Sequence, residues 1–295
     1  MTALALDIGA TKFAAALVDP DYTLRGVRQA PSATAEPWAV CRDLLLAVAG
    51  DNPVRAVGIG SAGPIDVPAG TAAPLNLPPW RDGFAVVAHV QALFPSAVVR
   101  FAIDGACLVL AEHRVGGLRG VANGLALTVS SGVGGGIVAD GRVLVGRTGN
   151  GGHLGHIVVP GDDTPCGCGG FGCVEAVASG MSAARWARAR GWTGATGAEL
   201  AEAALRGEAV PLAAMARAGT ALGQAVSSAA ALLDVDRVVI GGGFARSGPP
   251  LWDPLRAAVA RHARLEFLRE LTVEPSALTD GATLVGAGVL AVDAR

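Results

Sequence analysis

Residues 152–175 carry the tightest constraint in the sequence: Gly152-His153-Leu154-Gly155-His156, then Cys166-Gly167-Cys168-Gly169-Gly170-Phe171-Gly172-Cys173-Val174-Glu175. Three of the five cysteines fall within eight residues, with a histidine ten residues ahead of the first. Any disulfide scheme leaves one of these thiols over, whereas three thiolates and one imidazole complete the closed tetrahedron of structural zinc. The interleaved glycines accept positive φ without steric cost, so the backbone can wrap an ion tightly. His153 and His156 compete for the fourth place, and only one is needed. With four protein ligands no coordination position stays open, so the expected metal is structural and holds the other histidine and Glu175 in position.

A chain of 295 residues suffices for two domains. Hydrophobic residues make up 51%, charged ones 16%, and there are 42 glycines, which predicts a sizeable core crossed by many tight turns. The formal charge of −2 gives no basic footprint for nucleic acid or an anionic membrane. Met1-Thr2 runs straight into Leu4-Ala5-Leu6-Asp7 without a signal-peptide pattern, and Gly, Pro or charge breaks every apolar run before a membrane span's ~18 residues. A cytoplasmic protein is expected. Cys41 and Cys107 read as small core residues.

Leu4–Ile8 and Phe13–Val18 read as a hairpin whose turn includes Asp7, Gly9, Thr11 and Lys12. Besides an ordinary turn, this reads as a phosphate loop, with backbone N–H groups and Thr11 toward phosphates and Asp7 toward hydrated magnesium. It joins two strands, so it is not a Walker loop. Trp38–Ala49 has helical spacing, Val54–Gly60 reads as a buried strand, and Thr71–Trp80, with Asn76 and three prolines, reads as a loop. Val98–Ile103 is a strand; Asp104 then opens a helix to about His113 and on its own reads as an N-cap. Gly116–Gly120 is a hinge candidate. Leu125–Val129 and Ile137–Ala139 read as strands around the turn Ser130-Ser131-Gly132-Val133-Gly134-Gly135-Gly136. Helices are expected over 175–178, 181–190, 198–205, 212–233, 252–263 and 282–292, and strands over 237–240 and 271–274.

Gly-x-x-Gly-His followed by Cys-x-Cys-Gly-x-x-Gly-Cys-x-Glu-Ala-x-x-Ser-Gly resembles the signature of the ROK family, which groups bacterial sugar kinases with sugar-responsive repressors. The resemblance implies an α/β chain of the actin-like ATPase (ribonuclease H-like) fold, with two lobes, a central cleft and a zinc knuckle. The lobes would be 1–117, joined by a C-terminal helix 281–295, and 118–280. Zinc would be held by His156, Cys166, Cys168 and Cys173. Asp104 would be the catalytic base, with Ser61, Gly63, Asn76, His153, His156 and Glu175 around the sugar. ATP and Mg²⁺ would meet Asp7, Gly9, Thr11 and Lys12, then Ser131, Gly132 and Gly134, with Gly242 and Gly243 under the adenosine. A homodimer is implied. The family's repressors add a winged helix-turn-helix before this fold; Asp7 stands near the start of this sequence and the charge is not basic, so nucleic acid is not an expected partner.

The sequence departs from the family pattern at four places. Ala10 replaces the second glycine of the first phosphate turn, and Ile103 and Ala106 replace the asparagines flanking the catalytic aspartate. His153 stands where most ROK glucokinases carry glutamate, as it does in bacterial N-acetylmannosamine kinases. Imidazole in place of carboxylate removes a two-oxygen acceptor of hydroxyls. The expected activity is ATP-dependent phosphorylation of the primary (6-) hydroxyl of a hexose or N-acylhexosamine, an N-acetylmannosamine-like sugar before glucose. An unusual amino sugar or cyclitol, plain glucose, or sensing without catalysis are the alternatives.

Overall fold

The computed structural model describes residues 2–278 and 281–293, so the ends of the expected segments 118–280 and 281–295 lie outside the described residues. The chain divides into two compact units, Met1–Val115 with Val143–Gly152 and Gly281–Arg295, and Gly116–Arg142 with His153–Asp280. In chain order the elements are β1 (Thr2–Ile8), β2 (Lys12–Val18), β3 (Leu24–Pro31), α1 (Pro37–Ala49), β4 (Val54–Ser61), β5 (Ile65–Asp66), β6 (Thr71–Ala72), α2 (Val86–Leu93), β7 (Val98–Ile103) and α3 (Asp104–Val115). They continue with β8 (Gly124–Val129), β9 (Val133–Ala139), β10 (Arg142–Val143), α4 (Val174–Ala178), α5 (Gly180–Arg188), α6 (Gly197–Leu205), α7 (Ala209–Leu233), β11 (Arg237–Gly241), α8 (Pro249–His262), β12 (Thr272–Pro275) and α9 (Ala282–Val292).

Each unit is built on a mixed five-stranded sheet, in the orders β3-β2-β1-β4-β7 and β10-β9-β8-β11-β12. The plan repeats: a leading strand pairs antiparallel with its hairpin partner on one side and parallel with a later strand on the other. This α/β architecture is consistent with the actin-like ATPase fold. Its inner strands are apolar runs because both faces are covered; Leu4, Leu6, Ile8, Phe13 and Ile59 are fully buried in the first unit, as are Met215, Leu222 and Ile240 in the second.

Three sequence expectations change. The edge strand β3, with Arg25 and Arg28 exposed, has no alternating apolar face to betray it; charge on an edge strand discourages stray pairing. The short helix α2 was likewise not expected. Most important, β9 begins at Val133, so Gly134, Gly135 and Gly136 are strand residues and the turn is only Ser130–Gly132. Gly135 serves packing: a Cβ there would lie 2.7 Å from Leu154 Cδ1 and 2.8 Å from Ala126 O.

Helix α9 lies against β4 and α3 without room for a methyl group. A Cβ on Gly58 would overlap the Ala287 carbonyl, and one on Gly286 would overlap that of Cys107. Backbone cannot yield as a flexible side chain does, so Gly286→Ala should cost about 3 kcal/mol or more; urea unfolding monitored by circular dichroism measures it.

Candidate active site

The first unit gathers carboxylates at the carboxyl ends of its parallel strands, where ligands of open α/β sheets bind. Asp7 in β1 pairs with Gly60, which pairs with Ala102 of β7, and Asp104 follows two residues later as the first residue of α3. Asp7 Oδ1 is buried without a hydrogen-bond partner. Burial first, then repulsion from Asp104, pushes the Asp7 carboxyl up to about 7 against the pull of Lys12. An orphaned carboxylate oxygen near a second carboxylate suits a hard cation, and oxygen donors suit Mg²⁺. The Gly105 N–H donates to Asp104 Oδ1 at 2.7 Å, which orients that carboxyl.

The turn after Asp7 is closed by Gly9 N–H donating to Lys12 O at 3.0 Å, and a Cβ on Gly9 would approach that oxygen to 2.9 Å. Ala10, Thr11 and Lys12 are exposed, and Lys12 Nζ donates to Gln29 Oε1 at 3.3 Å. The Asn76 amide reaches this turn, donating to Ala10 O at 2.7 Å. Ser61, an expected sugar residue, is fully buried, and its hydroxyl donates to Ala62 O at 2.9 Å. Gly63 O accepts Leu75 N–H at 3.3 Å, linking that turn to the Asn76 loop.

In the second unit the Ser130–Gly132 turn is closed by Ser130 N–H donating to Gly132 O at 2.9 Å, while Ser130 O accepts Gly180 N–H at 2.8 Å. Glu175, in the first turn of α4, accepts Val133 N–H on Oε2 at 3.0 Å. A Cβ on Gly132 would lie 2.6 Å from the same oxygen, so glycine is what admits the carboxylate there. Ser131 and Gly134 lie on either side of this contact in sequence and make no part of it. A Cβ on Gly155 would overlap Val133 O, and that glycine lets the short turn Leu154–His156 rest on β9. His153 precedes this turn with its ring 5.2 Å from that of His156; burial, then the neighbouring imidazole, lowers its pKa.

His156, Cys166, Cys168 and Cys173 bring one ligand atom each within 4.8 Å of the others. Cys168 Sγ and Cys173 Sγ are 3.8 Å apart, and Cys166 Sγ lies 3.9 Å from His156 Nδ1. A tetrahedron with Zn–S bonds of about 2.3 Å has sulfur–sulfur edges of roughly 3.8 Å, so the donor set and spacing fit zinc. His156 joins the thiols, a choice that residue arithmetic alone left open. Gly172 needs its φ of 69°, and a Cβ there would overlap Asp162 O. Arg217 of α7 bonds Asp162, Thr164 Oγ1 at 2.9 Å and Val177 O at 3.1 Å, fixing the knuckle to α4.

The ROK family profile matches residues 3–294. The chain belongs to the ROK family. It is 31% identical to the glucokinase of Thermotoga maritima over 96% of this chain and 95% of that protein. It is 32% identical to an Escherichia coli N-acetylmannosamine kinase over 82% and 83%. The structure of a ROK glucokinase from Streptomyces griseus in complex with glucose and AMPPNP superposes with a TM-score of 0.86 at 28% identity, covering 99% of this chain and 100% of that one. The chain is a sugar phosphotransferase of that family.

Within this ROK chain a cavity of about 450 Å³ opens beside Gly242, lined also by Ile240, Arg246, Trp252, Arg256 and Ser276. Sequence reasoning reached Gly242 but missed the rest, because only the pairing of β11 with β12 brings Ser276 alongside. Gly243 is not among the lining residues, and a Cβ there would meet Ser130 Oγ at 3.8 Å. Among the described residues no helix is long and apolar enough to cross a membrane.

The Asp7 carboxyl sits above its ordinary range, so the folded protein binds more protons than the unfolded chain between about pH 4 and 7. Without metal, this group lowers stability as pH rises through that window. Asp7→Asn should flatten the fall by an amount on the order of a few kcal/mol, read from urea titrations at pH 4.5 and 7.5 in EDTA.

Proposed function

We propose that this ROK protein transfers the γ-phosphate of ATP to the primary hydroxyl of a hexose or N-acylhexosamine, an N-acetylmannosamine-like sugar being preferred to glucose. The observation that carries the kinase reading is the Asp7 and Asp104 pair, one buried with an orphaned oxygen and one oriented at a helix start, in a single unit. Asp104 accepts the hydroxyl proton as the sugar oxygen bonds to phosphorus and the bond to the leaving diphosphate breaks. Asp7 is the residue to hold Mg²⁺, which when bound neutralises charge on the phosphates. Lys12 supplies positive charge, and the Thr11 hydroxyl and the turn N–H groups supply donors, in the first unit; Ser131 and Gly132 are the candidate donors of the second. The cavity at Gly242 is the proposed seat of the adenosine.

The sugar preference rests on His153 and Ile103. An imidazole offers one bond per nitrogen, too few to grip two neighbouring hydroxyls as a carboxylate does. Ile103 is buried in the core at the end of β7 and contributes no polar contact beside Asp104. A sugar with an acylamino group in place of a hydroxyl suits such a site. His156 would face the metal through Nδ1 and leave Nε2 for a sugar oxygen, with Glu175 beside it.

A coupled assay of ADP release over hexoses, N-acylhexosamines, amino sugars and cyclitols should give the highest kcat/KM for N-acetylmannosamine. Asp104→Asn should lower kcat by about 10²- to 10⁴-fold while sugar still binds. Turnover surviving in that variant, or absent from wild type on every sugar, overturns the reading.

Zinc in the knuckle is the second proposal, supported by the donor geometry above. Elemental analysis should find about one zinc per chain and none in Cys173→Ser, whose Tm should fall. Metal-free wild type with an unchanged Tm would remove zinc from the account.

A further inference from the structure

The Ala10 carbonyl, in the middle of the first phosphate turn, receives two side-chain donors from distant parts of the chain. Asn76 Nδ2 lies at 2.7 Å and Ser32 Oγ at 2.9 Å. Ser32 also gives its N–H to Thr11 O at 3.1 Å, and its side chain is buried. The turn itself has one closing backbone bond, from Gly9 to Lys12, and its residues 10–12 are exposed. Left to itself, such a glycine-containing turn would sample many conformations. Asn76 comes from a firm base, because its neighbour Leu77 is buried and Trp80 is buried and stacked on Phe84 with ring centroids 4.2 Å apart.

We propose that Asn76 and Ser32 are positioning residues for phosphoryl transfer, a clasp that holds Ala10 O and thereby presents the amides of the turn to the nucleotide phosphates. This rests on the kinase reading above. The clasp assigns Asn76 a task other than touching sugar and gives Ser32 a role that its sequence context did not suggest. Because the carbonyl is held from two sides, losing either donor loosens the turn and weakens nucleotide binding before it affects sugar.

The test measures Mg²⁺-AMPPNP binding by calorimetry without sugar, on the full chain, for wild type, Asn76→Asp, Ser32→Ala and Ser32→Thr. Asn76→Asp sets a carboxylate oxygen against Ala10 O and should weaken binding by about tenfold or more, and Ser32→Ala by about fivefold. Ser32→Thr, which keeps the hydroxyl, should restore most of the affinity. In steady state, Ser32→Ala should raise KM for ATP while KM for sugar stays within twofold. Nucleotide affinities within twofold of wild type in both Asn76→Asp and Ser32→Ala, with only KM for sugar raised in the former, would overturn the clasp and leave Asn76 a sugar contact. That result leaves the kinase reading standing, since wild-type turnover decides it separately; a wild type that binds no nucleotide overturns both. Asn76 is exposed, so its variant reports even if Ser32→Ala folds poorly.

Discussion

The arrangement of the second unit depends on two backbones meeting where no side chain fits. Gly155 rests on Val133 O, and Gly132 leaves its space to the Glu175 carboxylate. These approaches bring a histidine-bearing turn, a helix start and a strand end to one place; a Cβ at 155 would overlap backbone, and one at 132 would displace the Glu175 carboxylate. A methyl group at 155 would push the His153–His156 turn off β9 and carry the imidazole away from the thiols. Rigidity is gained through missing atoms, in the same way that α9 seats on β4 through Gly58 and on α3 through Gly286.

The first unit has a different constraint, a carboxylate in a place that disfavours its charge. Asp7 has a buried oxygen with no partner and Asp104 for a neighbour, so without a cation its ionised form is costly. On the proposed reading, cation binding accounts for the tolerance. A site that welcomes a divalent cation must leave oxygen lone pairs unused, and the surrounding core of Leu4, Leu6, Ile8 and Phe13 supplies stability to offset that. The buried thiols of Cys41 and Cys107 respond to the same charge: burial, then Asp7, raises both, and Cys41 reaches about 12, so they remain neutral packing residues.

Much of this was legible in the sequence where spacing and geometry coincide. The hairpin around Asp7, the helix opening at Asp104 and the thiol triplet are local, so their residues announced them. What escaped was set at a distance. β3 pairs through its backbone while its side chains stay polar and exposed, so periodicity had nothing to detect. The Gly134–Gly136 run read as a turn because glycine breaks patterns; Leu154 and the Ala126 carbonyl, both distant in sequence, leave no room for a side chain at Gly135 inside the strand. Ser61 was expected at the sugar from the family resemblance alone, and the bond its hydroxyl donates to the next residue's carbonyl had no local signal. That His156 lies with the thiols follows from the path of the backbone through the nine intervening residues and not from count.

The repetition of plan between the two units gives the hydrogen bonds of Asn76 and Glu175 a common sense. In the first unit a candidate sugar residue donates to a carbonyl of the Gly9–Lys12 turn; in the second, a candidate sugar residue accepts the N–H that follows the Ser130–Gly132 turn. Each is a single bond, worth about 1 kcal/mol for the neutral Asn76 amide and about 1.5–3 kcal/mol for the Glu175 carboxylate. A sugar oxygen that competes for the Asn76 amide, or shares the Glu175 carboxylate, must change the bond that holds a turn, and by linkage the turn's occupancy must change the affinity for sugar. The small size of the bonds is what allows substrate-sized forces to move them.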